Sequence, residues 1–277
     1  MVERLGDRVG AAMIELRKII EAFRNFGLAA PAFIGSAALR RFNAWRTRRA
    51  IAKAPDAKTV FRLIYQNQWW DKGGESASGP GSTIEFTQSF RADFERYLRQ
   101  QQVGTLFDAP CGDWNWMKEV QFPPAMQYIG GDVVSDLVEE TSRRFGGRGR
   151  SFKTFDITKD RFPNADIWLC RDCLAHLSNV DVKQALDNFC DSQIPFALIS
   201  NYIGVGPNED IASGGFRPLD LTKHPFNLPD AYEAINDWPG QEGVRKVGLW
   251  RREAIAEALA RMAETPKRQI TRLNKSG

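Results

Sequence analysis

The pattern of hydrophobic and polar residues changes near residue 103. Before this point, apolar residues recur at helical spacing over residues 9–26, 39–51 and 83–98, and the second of these stretches is rich in arginine. Positions three and four apart lie on one side of an α-helix. The spacing therefore predicts three amphipathic helices in the first part of the chain.

After residue 103 the chain shows short apolar runs separated by polar stretches of helical spacing. Six runs are typical of strands: residues 103–107, 126–129, 151–155, 165–170, 196–200 and 244–250. Helical patterns lie between or after them, at residues 135–145, 180–190 and 251–263. Alternating strands and helices predict an α/β fold, with a parallel sheet that carries helices on both faces. Ligands bind such sheets beyond the carboxyl ends of the strands.

A long segment near the end of this pattern carries no clear strand or helix signal. Residues 204–239 are rich in Gly, Pro and Asn, and the segment is longer than an ordinary connection. We therefore expect residues 204–240 to form a substrate-binding loop that caps the strand ends. The chain then divides into a helical, basic extension at residues 1–65 and an α/β domain at residues 66–277.

Composition limits the class of protein. The chain has 277 residues, of which 43% are hydrophobic and 26% charged, which is typical of a globular protein and excludes a disordered or fibrous one. The longest uncharged apolar stretch, residues 27–39, is too short to span a membrane and contains Pro31. The amino terminus does not resemble a secretory signal, and four cysteines are too few for a disulfide scaffold. We therefore expect a cytoplasmic protein with reduced thiols.

The charge is distributed unevenly along the chain. Residues 1–53 carry a net charge of +7, which leaves −3 for the remainder of a chain whose total is +4. A basic helical arm of this kind packs on its own domain or on a partner chain in most proteins, and it can also lie on an anionic membrane or touch a nucleic acid. Because the rest of the chain is acidic, we do not expect a nucleic-acid substrate.

Candidate chemistry begins where the first predicted strand ends. Asp108 is followed by a tight turn that contains Pro110 and one glycine, Gly112. Sites for dinucleotides need three spaced glycines, so this turn disfavours pyrophosphate binding. Asp132 ends the next strand, 20 residues after Gly112, where a carboxylate can accept both hydroxyls of a ribose. The sequence therefore predicts a nucleoside cofactor without a pyrophosphate.

These motifs form an ordered series. The segments that carry it are residues 108–113, 130–132, 155–157 and 166–177, with residues 69–83 upstream and residues 216–221 and 248–250 downstream. The series resembles that of the class I, Rossmann-like S-adenosylmethionine (SAM)-dependent methyltransferases. More narrowly, it is similar to a bacterial group often associated with surface-glycan loci. The resemblance covers residues 66–250 and implies a seven-stranded, mostly parallel sheet and SAM as the cofactor.

The resemblance also implies roles for individual residues. The cofactor-binding residues would be Asp108, Pro110, Gly112, Asp113, Trp114, Asp132, Asp156, Ile157 and Arg171. In this assignment Asp108 orders the turn and Gly112 lies against the methionine part of the cofactor. Asp132 holds the ribose, and Asp156 with Ile157 brackets the adenine. The turn departs from the common glycine-rich pattern of the family at Pro110 and Trp114.

Methyl transfer to oxygen benefits from a general base. Asp172 and His176 follow the fourth predicted strand and are four residues apart, so one helical turn would direct both into the site. His176 can equally be a packing residue. The expected acceptor is a small polar molecule such as a sugar or a glycan precursor, and the residues predicted to bind it are Trp69, Ser76, Ser78, Arg217 and His224.

Three alternatives remain open. A nicotinamide-dependent oxidoreductase could use a similar sheet, although the missing glycines disfavour it. A non-catalytic nucleotide-binding module could use the basic arm to reach a membrane or a nucleic acid. Finally, Cys170 and Cys173 could join Cys111 and His176 in a zinc site, but a second Cys-x-x-Cys motif is absent. Buried thiols that pack as small hydrophobic groups are the favoured interpretation, so no metal is expected.

Overall fold

A seven-stranded sheet lies at the centre of the protein in a computed structural model that describes residues 35–71, 74–238 and 244–273. The strands are β1 (Thr105–Asp108), β2 (Gln127–Asp132), β3 (Arg150–Thr154), β4 (Ile167–Cys170), β5 (Phe196–Ile203), β6 (Glu233–Trp238) and β7 (Val244–Arg251). Their order in the sheet is β3-β2-β1-β4-β5-β7-β6. Strands β1 to β5 pair in parallel, and β7 is antiparallel to both β5 and β6. The prediction of a Rossmann-like, mostly parallel seven-stranded sheet is confirmed.

Six α-helices surround or precede this sheet in the described ranges. They are α1 (Gly35–Ile51), α2 (Ala57–Gln66), α3 (Gln88–Gln100), α4 (Ser135–Phe145), α5 (Asn179–Cys190) and α6 (Arg252–Leu273). The Ser178 hydroxyl accepts a hydrogen bond from the Asp181 amide and so fixes the start of α5. The predicted helix at residues 9–26 lies outside the described residues.

Side chains alternate between the two faces of the sheet along each strand, and the buried hydrophobic ones form two clusters. On β1, Leu106 and Phe107 are fully buried and belong to different clusters, as successive strand residues point to opposite faces. One cluster packs the sheet against α5 and α6, and the other packs it against α3. Both faces of the sheet are therefore covered by helices.

The structure differs from the sequence prediction at two boundaries. Strand β6 lies within residues 204–240, which we expected to be loop throughout. Its alternate residues Ile235 and Asp237 are buried, and it adds to the sheet through β7, a partner that comes later in the chain. The chain also forms two compact units, Met1–Lys53 and Ala54–Gly277, so α2 belongs to the unit that contains the sheet and not to the amino-terminal extension.

No helix in the described ranges is both long enough and apolar enough to cross a membrane.

Candidate functional site

A cavity of about 1200 Å³, measured out to its open mouth, lies at the carboxyl ends of β1 to β4. Clefts at this edge of an α/β sheet are common sites for small ligands and cofactors. Its floor comes from the strand ends and the turns that follow them. Its outer wall is helix α2, which contributes Phe61, Ile64 and Tyr65.

Three acidic residues meet in this cavity. Asp108 and Asp132 are the last residues of β1 and β2, and Asp156 follows β3 by two residues. The three strands are parallel neighbours, so their carboxyl ends lie along one edge of the sheet. The structure therefore brings together the three strand-end carboxylates that the sequence predicts to contact the cofactor.

The turn after β1 needs a glycine at residue 112. Gly112 has a left-handed φ of 55°, and its amide donates to Asp132 Oδ2 at 3.1 Å. A Cβ atom at this position would collide with Ser78 Oγ. The missing side chain lets the backbone of the turn form the cavity wall directly.

Asp113 anchors the glycine-rich upstream segment to the same turn. Its carboxylate accepts hydrogen bonds from Ser76 Oγ at 3.1 Å and from the Ala77 amide at 2.8 Å, and its amide donates to Ser78 Oγ at 3.1 Å. The Ser78 side chain lines the cavity, whereas Ser76 is buried beneath it. Ser76 therefore positions the segment, and the structure does not place it for contact with an acceptor.

Two of the strand-end acids hold protons unusually tightly. Burial raises the pKa of Asp108 to about 7, even though its carboxylate accepts a hydrogen bond of 2.6 Å from the Tyr128 hydroxyl. Burial also raises the pKa of Asp132 to about 6, against the opposing effect of the Val134 and Gly112 amides. Both groups therefore titrate near neutral pH in the folded protein.

The raised pKa of Asp108 makes stability depend on pH. The folded state holds this proton more tightly than the unfolded state, so stability falls as pH rises from the ordinary pKa near 3.8 through the folded value of about 7. We expect Asp108→Asn, which keeps an acceptor for Tyr128, to gain stability relative to the parent between pH 5 and pH 8. Thermal melting across this range measures the difference, and Tyr128→Phe, which removes a hydrogen bond that lowers the Asp108 pKa, should extend the fall in stability to higher pH. Parallel profiles for all three chains would contradict this prediction.

A network of four charged side chains, three of them buried, begins at the cavity wall with Arg171 and Asp172. Arg171, at the end of β4, donates to Asp237 Oδ1 through Nη2 at 2.8 Å and to the Gly81 carbonyl at 2.9 Å. Arg245 of β7 contacts Asp237 Oδ2 at 2.7 Å and Asp172 Oδ1 at 2.5 Å. The two arginines and two aspartates balance in charge, as groups removed from water require. The network ties the β6–β7 pair to the turn after β4.

Asp172 is held as a carboxylate in this network. Burial alone would raise its pKa, but the Arg245 guanidinium, with help from His176 and Arg171, lowers the pKa to about 2. A group with this pKa is a poor general base near neutral pH. Asp172 lines the cavity as predicted, but its environment suits it to supply negative charge and not to accept a proton.

We expect Gly81→Ala to disturb this network. A Cβ atom at Gly81 would collide with Asp172 Oδ2 and displace the carboxylate from Arg245. Overpacking of this kind costs about 1–3 kcal/mol, so the midpoint of urea unfolding should fall. Gly206→Ala is the matched control because nothing lies within 4 Å of its added Cβ atom. Equal unfolding midpoints for the two variants would mean that the network tolerates displacement.

His176 lines the cavity, and one of its ring nitrogens is held by a backbone carbonyl. Its Nδ1 atom lies 2.7 Å from the Gly215 carbonyl, which can only accept a hydrogen bond, so Nδ1 carries the proton and Nε2 has the free lone pair. The imidazole is also held between Trp70 and Phe216, with ring centroids 4.8 Å and 5.4 Å away. This geometry suits a proton acceptor at Nε2.

The outer wall of the cavity was not predicted from the sequence. Trp70 lines the cavity, whereas its neighbour Trp69, which the sequence predicts to bind the acceptor, does not. Lys58 and Phe61 of α2 also line the cavity. The apolar positions of α2 at Val60, Ile64 and Phe61 give a helical period that could have identified a buried face. Nothing in that period indicates that the face covers a ligand site.

Several predicted residues lie outside the cavity lining. Trp114 is fully buried and packs against Tyr128, Phe145 and Phe152. The neighbouring Trp116 lines the cavity. A cofactor contact by the Trp114 side chain is therefore not supported.

Two residues of the segment 204–240, here called the late loop, are predicted to bind an acceptor but do not line the cavity. Arg217 is buried, and its guanidinium donates to the Ala175 carbonyl at 3.2 Å and to Asn179 Oδ1 at 2.8 Å. It holds the late loop against the start of α5. His224 is exposed on that loop and does not line the cavity. The structure therefore gives neither residue an acceptor contact.

Pro110, Ile157 and Arg171, predicted to bind the cofactor, line the cavity. The cysteines of the Cys-x-x-Cys motif, Cys170 and Cys173, are buried free thiols, as is Cys111. Within the part of the chain that the structure describes, no group of three or more His, Cys, Asp or Glu side chains is arranged to hold a metal ion.

Comparison of the whole fold identifies the class of protein that shares this architecture. Mitomycin 7-O-methyltransferase MmcR is 15% identical with a TM-score of 0.50, over 85% of this chain and 67% of that one. PigF, in a structure with S-adenosylhomocysteine (SAH), is 14% identical with a TM-score of 0.50, over 76% and 68% of the two chains. Magnesium protoporphyrin IX methyltransferase (ChlM) from Synechocystis PCC 6803, with bound SAM, is 13% identical with a TM-score of 0.49, over 72% and 99%.

At these low identities the likeness establishes the fold alone: the chain has the Rossmann-like fold of class I methyltransferases. No family model matches the sequence, and no curated protein matches it.

Proposed function

We propose that this protein is a SAM-dependent methyltransferase that methylates an oxygen atom of a small polar acceptor such as a sugar or a glycan precursor. One observation carries the proposal: Asp108, Asp132 and Asp156 surround a single cavity whose wall is the side-chain-free turn at Gly112. Ligands of open α/β sheets bind at this edge. The resemblance of the motif series to the methyltransferases supports the reaction type.

The residues present fit an adenosine. Asp132 can accept from the ribose hydroxyls, since its carboxylate lines the cavity and each of its oxygens has two lone pairs. Asp156 can accept from the adenine amino group, and Ile157 can cover the face of the ring. The backbone at Gly112 leaves room for the methionine part.

SAM, when bound, supplies a methyl group already activated on a positively charged sulfur. The chain must then align the acceptor oxygen, exclude water and remove one proton. His176 can take that proton at Nε2, because the Gly215 carbonyl keeps the proton on Nδ1. The Asp172 carboxylate lowers the energy of the imidazolium that results. Trp70 and α2 shield the site from water.

Aromatic side chains in the cavity support a sugar-like acceptor. Trp70 lies beside His176 and Phe61, with a centroid distance of 5.9 Å to Phe61, and all three line the cavity. Such ring faces can stack against the apolar face of a sugar. The resemblance to a group associated with surface-glycan loci points the same way. A cytoplasmic location agrees with the free thiols of all four cysteines.

Two measurements test the proposal. Calorimetry should detect binding of SAH and no binding of NAD; the reverse result would favour a nicotinamide-dependent oxidoreductase. Incubation with methyl-labelled SAM and a fractionated lysate of the source cell should then label a carbohydrate-containing product. Label on a nucleic acid, or on an amine, would overturn the acceptor proposal while keeping the methyltransferase.

A further inference from the structure

A row of aromatic rings leads out of the cavity. Phe61, Trp70 and His176 line the cavity, and successive ring centroids along this row are 5.9 Å and 4.8 Å apart. The row continues to Phe216, whose ring centroid lies 5.4 Å from that of His176. These separations are typical of aromatic rings in contact. Phe216 itself does not line the cavity, so it is the first ring of the row outside the lining.

Phe216 is exposed, yet the structure fixes its position. Its side chain has a relative exposure of 47%, and its ring meets the buried Tyr202 ring edge to face at a centroid distance of 6.0 Å. On one side of it in the chain, the Gly214 amide donates to the His176 carbonyl at 2.8 Å. On the other side, the Arg217 amide donates at 3.0 Å to the carbonyl of the residue before His176. A surface held in this way loses little conformational entropy when a ligand binds it.

The segment that holds Phe216 also orients the proposed base. The carbonyl of Gly215, the preceding residue, lies 2.7 Å from His176 Nδ1. An acceptor whose hydroxyl reaches His176 can therefore lay its next covalently attached group on Phe216, because the two rings are in contact. The exposed ring thus continues the proposed acceptor site towards solvent.

The Phe216 surface suits a group with one apolar face and polar edges. Arg217, the next residue, is buried and donates to Asn179 Oδ1 at 2.8 Å, so its charge does not serve an anionic group at this surface. A sugar ring can place its C–H face on the aromatic ring while its hydroxyl groups stay in water. An alkyl chain bound there would keep apolar surface exposed to water, which is unfavourable.

We propose that Phe216 forms an outer subsite for the second sugar ring of an acceptor that contains at least two linked rings. The ring that receives the methyl group lies in the cavity against Trp70, and the next ring stacks on Phe216. This assignment rests on the proposed function and makes Phe216 a residue that determines specificity for acceptor length.

Binding of sugars to the full chain loaded with SAH tests this proposal, because SAH has no methyl group to transfer. The probes are monosaccharides and disaccharides prepared by partial acid hydrolysis of the surface glycan of the source cell. Calorimetry should show that the parent binds the disaccharides about tenfold more tightly than the monosaccharides, as expected for covering half of a phenylalanine ring. Phe216→Ser should bind both sizes with similar affinity, whereas Phe216→Trp should keep the preference.

The ratio of the two affinities separates recognition from packing. If Phe216 only supported His176, its loss would affect monosaccharides and disaccharides alike and leave the ratio unchanged. Tyr232→Ser is the matched control, since Tyr232 is an aromatic residue with a relative exposure of 67% that lies outside the cavity lining. This variant should keep the tenfold preference of the parent.

The outcomes also distinguish this proposal from the proposed function. Normal binding of SAH by Phe216→Ser would show that its fold and cofactor site are intact. Equal affinity of the parent for both sugar sizes, or an unchanged ratio in Phe216→Ser, would overturn the outer subsite alone. If the parent bound SAH but neither sugar, the carbohydrate acceptor of the proposed function would be overturned together with the subsite.

Discussion

Replacing Asp132 by alanine is expected to weaken the binding of SAH by about 100-fold. The carboxylate is buried at the end of β2 and lines the cavity. A hydrogen bond to a charged group contributes about 1.5–3 kcal/mol, and a ribose offers two hydroxyls. Since each 1.4 kcal/mol changes a dissociation constant by about tenfold, loss of both bonds gives this magnitude. Isothermal titration calorimetry with SAH measures the effect directly.

Two further variants separate binding from folding. Asp132→Asn keeps one oxygen for the Gly112 or Val134 amide, so it should remain folded, with a lower melting temperature, and bind SAH more weakly. Asp93→Ala removes a half-buried carboxylate of α3 that pairs with Arg96 outside the cavity lining, and it should bind SAH like the parent. Unchanged affinity in Asp132→Ala, with the fold intact, would remove the ribose assignment.

Replacing His176 by glutamine is expected to lower kcat by about 100-fold to 10,000-fold, the usual contribution of a general base. Glutamine retains a polar side chain next to Trp70 but cannot take a proton from the acceptor hydroxyl. Binding of SAH should stay within about twofold, because the expected loss concerns the transfer step. The measurement is the rate of label transfer from methyl-labelled SAM to the lysate fraction that accepts it.

His224 is the matched control, as the second of the two histidines in the chain. It is exposed on the late loop and lies outside the cavity, so His224→Gln should turn over like the parent. Full activity in His176→Gln would leave His176 as a packing residue between Trp70 and Phe216.

Local patterns predict most of the sheet and its helices. The apolar runs locate β1 to β5 and β7 within a few residues, and the helical spacing predicts α4 with its observed bounds. Both patterns arise within a single helix or strand, so they can be recognised from neighbouring positions in the sequence. Strand β6 was missed because it lies in a Gly- and Pro-rich region and becomes a strand by pairing with β7.

The candidate site likewise has one part that the sequence predicts and another that depends on tertiary packing. Asp108, Asp132 and Asp156 could be placed together from the sequence, because parallel strands carry whatever follows them to a common edge. The low pKa of Asp172 depends on Arg245, which is 73 positions away and reaches it only through the pairing of β5 with β7. The apolar wall formed by α2 and the orientation of His176 by Gly215 also depend on long-range packing.

The amino-acid order thus specifies the strand-end acids, the glycine turn and the basic arm, since each is a property of neighbouring residues. Burial and contacts with residues distant in the chain decide which side chain can act as a base, which keeps a fixed charge and which tryptophan lines the cavity. A pKa responds to charges and solvent within a few ångströms, whatever their separation in sequence. Those distances exist only once the sheet has assembled.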